Sequence, residues 1–274
     1  MKKLVKLFIV TLIALTVTAC QSDSKNGLEK ILDKGVVTVA TSPDYAPYEF
    51  IDPTKSGDDK YVGADIEFAK YIAKELGVEL KIDAVDFNTV LGNIAVGTSD
   101  LGIAGISIDE ERKKSMDFTE AYDFGELSSK HSILVLKENV NQYNDLTSFN
   151  GKVVAAQAAS LQESFAKAQL TGATIEQVAD LNNGILMLQT NKVDGLSVSV
   201  VSAEQMLTAN DDLALVPFFY ESDENEGGTS VAVKKGEDEL VARLNEIIVK
   251  VKEEKLYEQW VIEAKALQKS LGIE

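Results

Sequence analysis

The stretch DIEFAKYIAKELGVELKI, residues 65–82, changes its hydrophobic period at a single glycine, and this change indicates the fold class. Up to Gly77, apolar residues recur at the spacing of an amphipathic helix: Ile66, Ala69, Ile72, Ala73 and Leu76. Asp65 is the candidate N-cap of this helix, and Gly77 is the candidate terminator. After Gly77, apolar and charged residues alternate over residues 78–82, as they do in a β-strand with one buried face. We therefore predict a helix that leads into a strand.

Strands and helices continue to alternate on both sides of this stretch. Residues 36–40 (VVTVA) precede it as a predicted buried strand. A helix that begins at Asp86 or Asn88 and ends near Gly97 follows it, and a strand over residues 101–106 comes next. This order is typical of a mostly parallel α/β sheet.

The same order recurs further along the chain. We predict strands over residues 152–156, 174–178 and 193–198, with helices over residues 161–170 and 182–190 between them. Two similar α/β units indicate two lobes. Ligands of open α/β folds usually bind at the carboxyl ends of strands, so a cleft between the lobes is the expected ligand site.

The remaining residues do not repeat the pattern, and they suggest a hinge. A strand over residues 230–233 precedes a long helix over residues 237–252 and a further amphipathic helix. If this strand joins the first sheet, the chain crosses between the lobes twice, near residues 122–126 and 226–229. The predicted division is residues 35–123 plus 228–274 for lobe 1 and residues 124–227 for lobe 2.

The amino-terminal residues predict export and a lipid anchor. Residues 1–19 combine three lysines with an apolar run that is too short for a spanning helix, which is the pattern of a secretory signal peptide. Cys20 follows small residues as in a bacterial lipobox, so we expect a diacylated Cys20 and a tether over residues 20–34. An ordinary cleaved signal with a chance cysteine is the alternative. Cys20 is the sole cysteine in the sequence, so folding does not depend on a disulfide.

Composition argues against several classes of function. The formal net charge of −17 disfavours nucleic acid as a partner. His131 is the sole histidine, which weighs against a histidine-rich zinc site and leaves a Ser-His-Asp triad one candidate base. We expect no metal and no cofactor.

Two segments contain candidate ligand-binding residues. Arg112 follows the strand predicted over residues 101–106, and its guanidinium could hold a carboxylate in a forked arrangement. A local ion pair with Glu110 or Glu111 is the structural alternative. Tyr45 lies in a loop that two prolines constrain, where its ring could stack on a ligand, whereas Tyr48 and Phe50 are expected in the core.

Six segments in this order resemble the extracytoplasmic amino-acid-binding proteins of ABC importers, solute-binding family 3. They are VATSPDYAPYEF (39–50), VGADIEFA (62–69), AGISIDEER (104–112), MDFTEAY (116–122), QAASLQE (157–163) and KVDG (192–195). The resemblance runs from about Leu28 to Trp260. It implies a two-lobed periplasmic-binding-protein-like fold of type II, in which two mixed, mostly parallel sheets are joined by a two-strand hinge and close on an amino acid.

The resemblance also implies roles for individual residues. Arg112 matches the arginine that pairs with the ligand α-carboxylate, and Ser107 matches a hydroxyl near that group. Backbone atoms of Gly105 would face the ligand, Tyr45 would form an aromatic wall, and Ser160 would hold the carboxylate from the second lobe. Four further aspartates match family positions and are expected to cap helices or fix turns: Asp65, Asp100, Asp117 and Asp194.

Two positions depart from the family pattern. Most members carry an acid for the ligand ammonium at the position of Ser199. Either another acid replaces it, with Asp44 and Glu126 as candidates, or the ligand lacks an ordinary α-ammonium group. Ala159 replaces the usual glycine before Ser160.

The function expected from these residues is capture of a polar amino acid by a monomeric, lipid-anchored extracytoplasmic protein, which delivers it to an ABC permease. No catalytic residue and no enzymatic activity are expected. One alternative is a lyase for small carboxylates on the same fold, with Glu126 or His131 as the acid or base. Another is a surface sensor or interaction protein. We expect His131 at the surface or at the edge of the cleft.

Overall fold

The computed structural model describes residues 25–123, 130–222 and 228–272. The predictions for the signal peptide, for Cys20 and for Glu126 concern residues outside these ranges. The described chain forms two five-stranded sheets, a short two-stranded ribbon and helices packed on both sheets. The sheets lie in different lobes, and the ligand cleft expected from the sequence lies between them.

The first sheet is mixed, with a parallel half and an antiparallel half. Its strands are β1 (Val36–Thr41), β4 (Glu79–Ala84), β5 (Leu101–Gly102), β6 (Met116–Phe118) and β12 (Ala232–Lys234), in the spatial order β4-β1-β5-β12-β6. β1 is parallel to β4 and β5, whereas β12 is antiparallel to β5 and β6. The ribbon pairs β2 (Phe50–Ile51) with β3 (Tyr61–Val62).

Five helices surround the first sheet: α1 (Gly27–Lys34), α2 (Ala64–Leu76), α3 (Phe87–Val96), α7 (Asp238–Glu253) and α8 (Leu256–Leu271). Phe68 of α2 is fully buried, and its ring packs 4.7 Å from that of Tyr122. The ring centroids of Tyr257 and Trp260, both from α8, lie 6.2 and 6.3 Å from that of Phe68. Aromatic rings bury large apolar surfaces when they pack together. This cluster therefore holds the carboxyl-terminal helix α8 on the lobe that contains β1.

The second sheet has the spatial order β11-β7-β10-β8-β9. Its strands are β7 (His131–Leu136), β8 (Val153–Gln157), β9 (Thr174–Val178), β10 (Gly195–Ser199) and β11 (Leu213–Leu215). β8 is parallel to β9 and β10, and β7 is antiparallel to β10 and β11. The helices of this lobe are α4 (Leu161–Gln169), α5 (Leu181–Gln189) and α6 (Val200–Ala209).

The chain passes between the lobes twice. It leaves the first sheet after β6 and returns to it as β12. Thr229 forms isolated antiparallel bridges with Ser107 and with Asp123, so the two connections lie side by side. The two-lobed α/β fold with mixed sheets is therefore confirmed.

Several local predictions were wrong in their details. Asp65 is not the N-cap of α2; Gly63 is, and Asp65 lies buried in the first turn. The strand predicted over residues 101–106 ends at Gly102, and Arg112 begins a short 3-10 helix (Arg112–Lys114) ten residues later. Asp86, one of the two predicted alternatives, caps α3 through the backbone N–H of Thr89.

Backbone carbonyls rather than a side chain cap α2. The N–H groups of Ala64 and Asp65 donate to the carbonyls of Pro47 and Tyr48 at 3.1 and 2.8 Å. An N-cap side chain is unnecessary because the loop already satisfies these helix-terminal donors. The arrangement fixes the loop that precedes β2 against the start of α2.

The other three family-matching aspartates fix turns, as expected. Asp100 accepts the N–H of Thr38, at 2.7 Å. Asp117 accepts that of Gly236 at 2.7 Å, and Asp194 accepts that of Val153 at 2.9 Å. Each carboxylate therefore joins a turn to a segment that is distant in sequence.

Candidate functional site

One cavity between the lobes collects most of the predicted ligand-binding residues. Its lining includes Asp44, Tyr45, Gly105, Ser107 and Arg112 from the first lobe, and Ser160 from the second. Ser199 does not line it, but contacts the phenol of Tyr45. The structure therefore brings the predicted residues together from segments up to about 150 positions apart.

Arg112 is buried and held from three sides. Its side chain contacts the carboxylate of Asp109 through Nε at 3.0 Å, the carbonyl of Ser107 through Nη1 at 2.7 Å and the carbonyl of Ala159 through Nη2 at 2.9 Å. The alternative pairing with Glu110 or Glu111 is wrong, because those carboxylates pair with Lys113 and Lys114.

These contacts leave Arg112 able to bind an anion. A guanidinium has five N–H donors, and the three contacts leave one N–H on each terminal nitrogen. Two parallel N–H groups match the two oxygens of a carboxylate. Burial lowers the pKa of Arg112, and the Asp109 carboxylate opposes this effect; an arginine keeps its charge in such a setting.

The contact with Ala159 also joins the lobes. Ala159 has a left-handed backbone (φ 63°), the conformation for which the usual family glycine is suited. Its N–H donates to Oε2 of Glu163 at 2.7 Å. Ser160 caps α4 by accepting the N–H of Glu163 at 3.0 Å, so its hydroxyl proton remains available to a ligand.

Tyr45 forms a wall of the cavity, and Gly105 makes room for it. The Tyr45 ring stacks on that of Tyr48, with centroids 5.2 Å apart. Gly105 has φ 57°, and a Cβ there would lie 2.7 Å from the Tyr45 ring. A side chain at position 105 is therefore excluded both by backbone strain and by contact.

Ser199 supplies hydroxyl contacts and no charge. It caps α6, and its Oγ lies 3.0 Å from the Tyr45 hydroxyl and 2.9 Å from the Ser202 hydroxyl. Tyr45 and Ser199 belong to different lobes, so this contact crosses the cleft.

Asp44, a candidate replacement acid, is already engaged across the cleft. Its Oδ2 accepts Nε2 of Gln157 at 2.9 Å and the N–H of Leu181 at 2.8 Å, and its Oδ1 accepts the Ser42 hydroxyl at 2.7 Å. Burial raises the pKa of Asp44, whereas the Leu181 and Ser42 hydrogen bonds lower it. Asp44 thus links the loop after β1 to the start of α5 in the second lobe.

We expect Asp44→Asn to lower ligand affinity about tenfold, because an amide weakens these charge-assisted bonds and destabilises the closed lobes. Calorimetric titration with the bound solute measures the change. Asp145→Asn is the matched control, because Asp145 caps a short 3-10 helix (Leu146–Phe149) within the second lobe and does not line the cavity. Equal affinities for Asp44→Asn and wild type would refute the role in closure.

His131 lies in β7 and lines the cavity, so the expectation of a surface position was wrong and that of a cleft position is supported. It is buried, and its Nδ1 lies 3.0 Å from Nε2 of Gln162. Burial lowers the pKa of His131 to about 4, so the imidazole is neutral at physiological pH.

The sequence analysis did not predict a role for Glu49, although this residue lies in the family motif over residues 39–50. Glu49 lines the cavity together with Asp44 and Asp123. Among the cavity-lining residues that the structure describes, three carboxyl groups therefore accompany Arg112 and a neutral histidine. The excess of acid suggests that the site accepts positive charge in addition to a carboxylate.

Within residues 25–123, 130–222 and 228–272, no cluster of histidine, cysteine or acidic side chains is arranged to hold a metal ion. The helices of the same ranges include none with the length and apolarity required to cross a bilayer.

Comparison with known proteins identifies similar chains. The profile of the bacterial extracellular solute-binding proteins, family 3, matches residues 37–263. A probable histidine-binding protein of Campylobacter jejuni is 30% identical over 262 residues, 94% of this chain and 96% of that protein. An arginine-binding extracellular protein of Bacillus subtilis is 29% identical over 272 residues, 95% of this chain and 98% of that protein.

A solved structure agrees with this likeness. An amino acid ABC transporter substrate-binding protein of Streptococcus pneumoniae, bound to L-arginine, is 35% identical and superposes with a TM-score of 0.79. The match covers 88% of this chain and 98% of that one. The resemblance stated from the sequence motifs is confirmed.

Proposed function

The chain belongs to family 3 of the bacterial extracellular solute-binding proteins, and on this basis we propose that it captures an amino acid between its lobes and delivers it to an ABC permease. The observation that carries the proposal is the setting of Arg112. Its guanidinium is fixed by carbonyls of both lobes, at Ser107 and Ala159, and keeps two N–H groups for a carboxylate.

The remaining residues of the cleft complete a site for a small zwitterion. Ser160 adds a hydroxyl donor from the second lobe, and Tyr45 forms an apolar wall with a polar tip. In the proposed division, residues 35–123 and 228–274 belong to the lobe that contains Arg112, on which α1 also packs, and residues 124–227 belong to the other. Asp44 remains in the site as a closing contact rather than as the ammonium acceptor.

Binding would act through closure of the lobes. A ligand shifts the equilibrium between open and closed forms only through contacts that it makes better in the closed form. A carboxylate held jointly by Arg112 and Ser160 is such a contact, because these residues lie on different lobes. Hinge closure of this kind breaks no covalent bond, and we propose no catalytic step.

The charge of the site favours a cationic amino acid. Asp44, Glu49 and Asp123 outnumber the single guanidinium that lines the cavity in the described chain, and a cationic group bound among them would favour their ionised forms. The relatives named for arginine and histidine agree with this balance. We therefore place arginine first among the solutes to be tested.

Titration of the purified protein tests the proposal. The protein is unfolded and refolded to remove bound solute, and then titrated calorimetrically with the standard amino acids and with carboxylates that lack the α-amino group. Tight binding of a free amino acid supports the proposal. Binding of amine-free carboxylates alone, or turnover of any of them, would contradict it.

We also propose that the chain is a lipoprotein, with a signal peptide at residues 1–19 and a diacylated Cys20. The support is the lipobox-like sequence before Cys20. The prediction of a tether over residues 20–34 was wrong for its second half, because residues 27–34 form α1, whose Ile31 is buried in the core. We expect Cys20→Ser to move the protein from the membrane fraction to the soluble fraction, because a protein without the acyl chains lacks the anchor. Unchanged membrane retention of this variant would refute lipidation at Cys20.

A further inference from the structure

From the surroundings of Glu49 we infer that its carboxyl group accepts a cationic nitrogen of the bound solute, a role for which Ser199 offers only a hydroxyl. The inference rests on the proposed function, since it concerns the solute of the same cleft. It identifies the residue that satisfies the positive charge of an amino acid held by Arg112.

Glu49 is buried, lines the cavity and lacks donors. Its exposed fraction is 0%, yet it contributes to the cavity wall. No donor within the described part of the chain reaches either carboxyl oxygen. Buried polar atoms nearly always have hydrogen-bond partners, so a carboxyl without a donor at a cleft wall indicates a partner that arrives with the ligand.

The neighbouring acid Asp65 differs from Glu49 in the number of hydrogen-bond donors that reach its carboxylate. Its Oδ2 accepts the N–H of Gly105 at 2.9 Å and the hydroxyl of Tyr122 at 3.0 Å, and its Oδ1 accepts the hydroxyl of Tyr257 at 2.5 Å. Three donors from distant segments thus converge on Asp65. The carboxyl groups of Asp65 and Glu49 also interact, and because Asp65 already accepts these three donors, the proton between the two groups belongs to Glu49. Asp65 therefore supplies no donor to Glu49.

The groups that interact electrostatically with Glu49 are acids and phenols. Asp44 and Asp65 act on Glu49, and Glu49 in turn acts on the phenols of Tyr45, Tyr48 and Tyr122. Burial raises the pKa of Glu49 well above its usual range, and the charges of Asp65 and Asp44 and a hydrogen bond from protonated Glu49 to Asp65 raise it further. These surroundings favour the protonated form of Glu49 before a solute binds.

A cationic nitrogen reverses this situation. An ammonium or guanidinium group donates N–H bonds to the carboxylate and favours its ionised form. The proton of Glu49 then passes to the buffer, and the carboxylate pairs with the solute. Binding is therefore expected to release protons, up to one for each solute molecule, in the pH range where Glu49 of the free protein is protonated.

Two arrangements share this chemistry, since the nitrogen can belong to the α-ammonium group or to a cationic side chain. Three solutes separate them: arginine, citrulline, which lacks the side-chain charge, and the guanidino acid that lacks the α-amino group. The analogue whose affinity does not change in Glu49→Gln is the one that lacks the contacting nitrogen.

The experiment is titration of wild type, Glu49→Gln and Asp52→Asn with these solutes, in two buffers of different ionisation enthalpy. A glutamine side chain resembles a protonated glutamate in shape, so the fold is retained, and thermal unfolding checks this. Asp52 is a buried acid of the same segment that does not line the cavity. We expect Glu49→Gln to weaken arginine binding about 30-fold and to abolish the proton release, with no change for Asp52→Asn.

The failures are distinguishable. Wild-type protein that binds no amino acid overturns the proposed function and this inference with it. Wild type that binds arginine, together with a Glu49→Gln variant of equal affinity and equal proton release, overturns this inference alone.

Discussion

Arg112→Ala is expected to weaken binding of the amino acid by about two to three orders of magnitude, the largest change that we expect from a single substitution in the cleft. A forked pair between guanidinium and carboxylate comprises two charge-assisted hydrogen bonds, each worth about 1.5–3 kcal/mol. The variant also loses the contact between Nη2 and the carbonyl of Ala159, which joins the lobes. Calorimetric titration measures both losses together.

A second solute separates the two contributions. Decarboxylated arginine cannot use the forked pair, so wild type should bind it weakly. Removing Arg112 should weaken the binding of decarboxylated arginine further, but only through loss of the contact between Arg112 and the carbonyl of Ala159. The difference between the two solutes, taken across the wild type and the variant, isolates the interaction between Arg112 and the carboxylate.

Two controls sharpen the test. Arg243→Ala removes an arginine that pairs with Glu246 on α7, away from the cleft, and should leave affinity unchanged. Arg112→Lys keeps the charge but loses the planar fork, so its affinity should fall between those of wild type and Arg112→Ala. An Arg112→Ala variant with full affinity for the native solute would rule out the assignment of the carboxylate to Arg112.

The two sheets were predictable because hydrophobic period and turn residues are local signals. The change of period at Gly77 corresponds to the boundary between α2 and β4. β7 was not predicted, since residues 131–135 are buried on both faces and show no alternation. The short length of β5 also had no local signal, because the chain leaves the sheet there to form the left-handed turn at Gly105.

The candidate site was predictable where a motif contains the chemistry, as for Arg112, Tyr45 and Ser160. It was not predictable where the role depends on which donors arrive from elsewhere. Asp44, Glu49 and Asp65 lie within about 20 positions of one another in sequence. The structure gives Asp44 a partner on α5, gives Asp65 three donors from distant segments, and leaves Glu49 without a donor in the described chain. Residue type alone does not distinguish these three acids.

The second large effect is expected on stability, from Gly63→Ala. Gly63 has φ 124° and ψ 172°, a backbone region that is accessible almost only to glycine. A Cβ at this position would lie 2.2 Å from the carbonyl oxygen of Tyr48, which accepts the N–H of Asp65. Backbone strain and overpacking each cost about 1–3 kcal/mol, so we expect a loss of about 4 kcal/mol in the free energy of unfolding.

Gly57→Ala is the matched control for this substitution, because Gly57 also has a positive φ, 61°, but nothing lies within 4 Å of the point that a Cβ would occupy there. It should cost only the backbone strain, about 1 kcal/mol. Denaturant unfolding of both variants measures the difference. If Gly63→Ala is no less stable than Gly57→Ala, the close approach of Tyr48 does not constrain position 63. Because the same contact holds the loop that contains Tyr45 and Glu49, Gly63→Ala should also weaken solute binding, whereas Gly57→Ala should not.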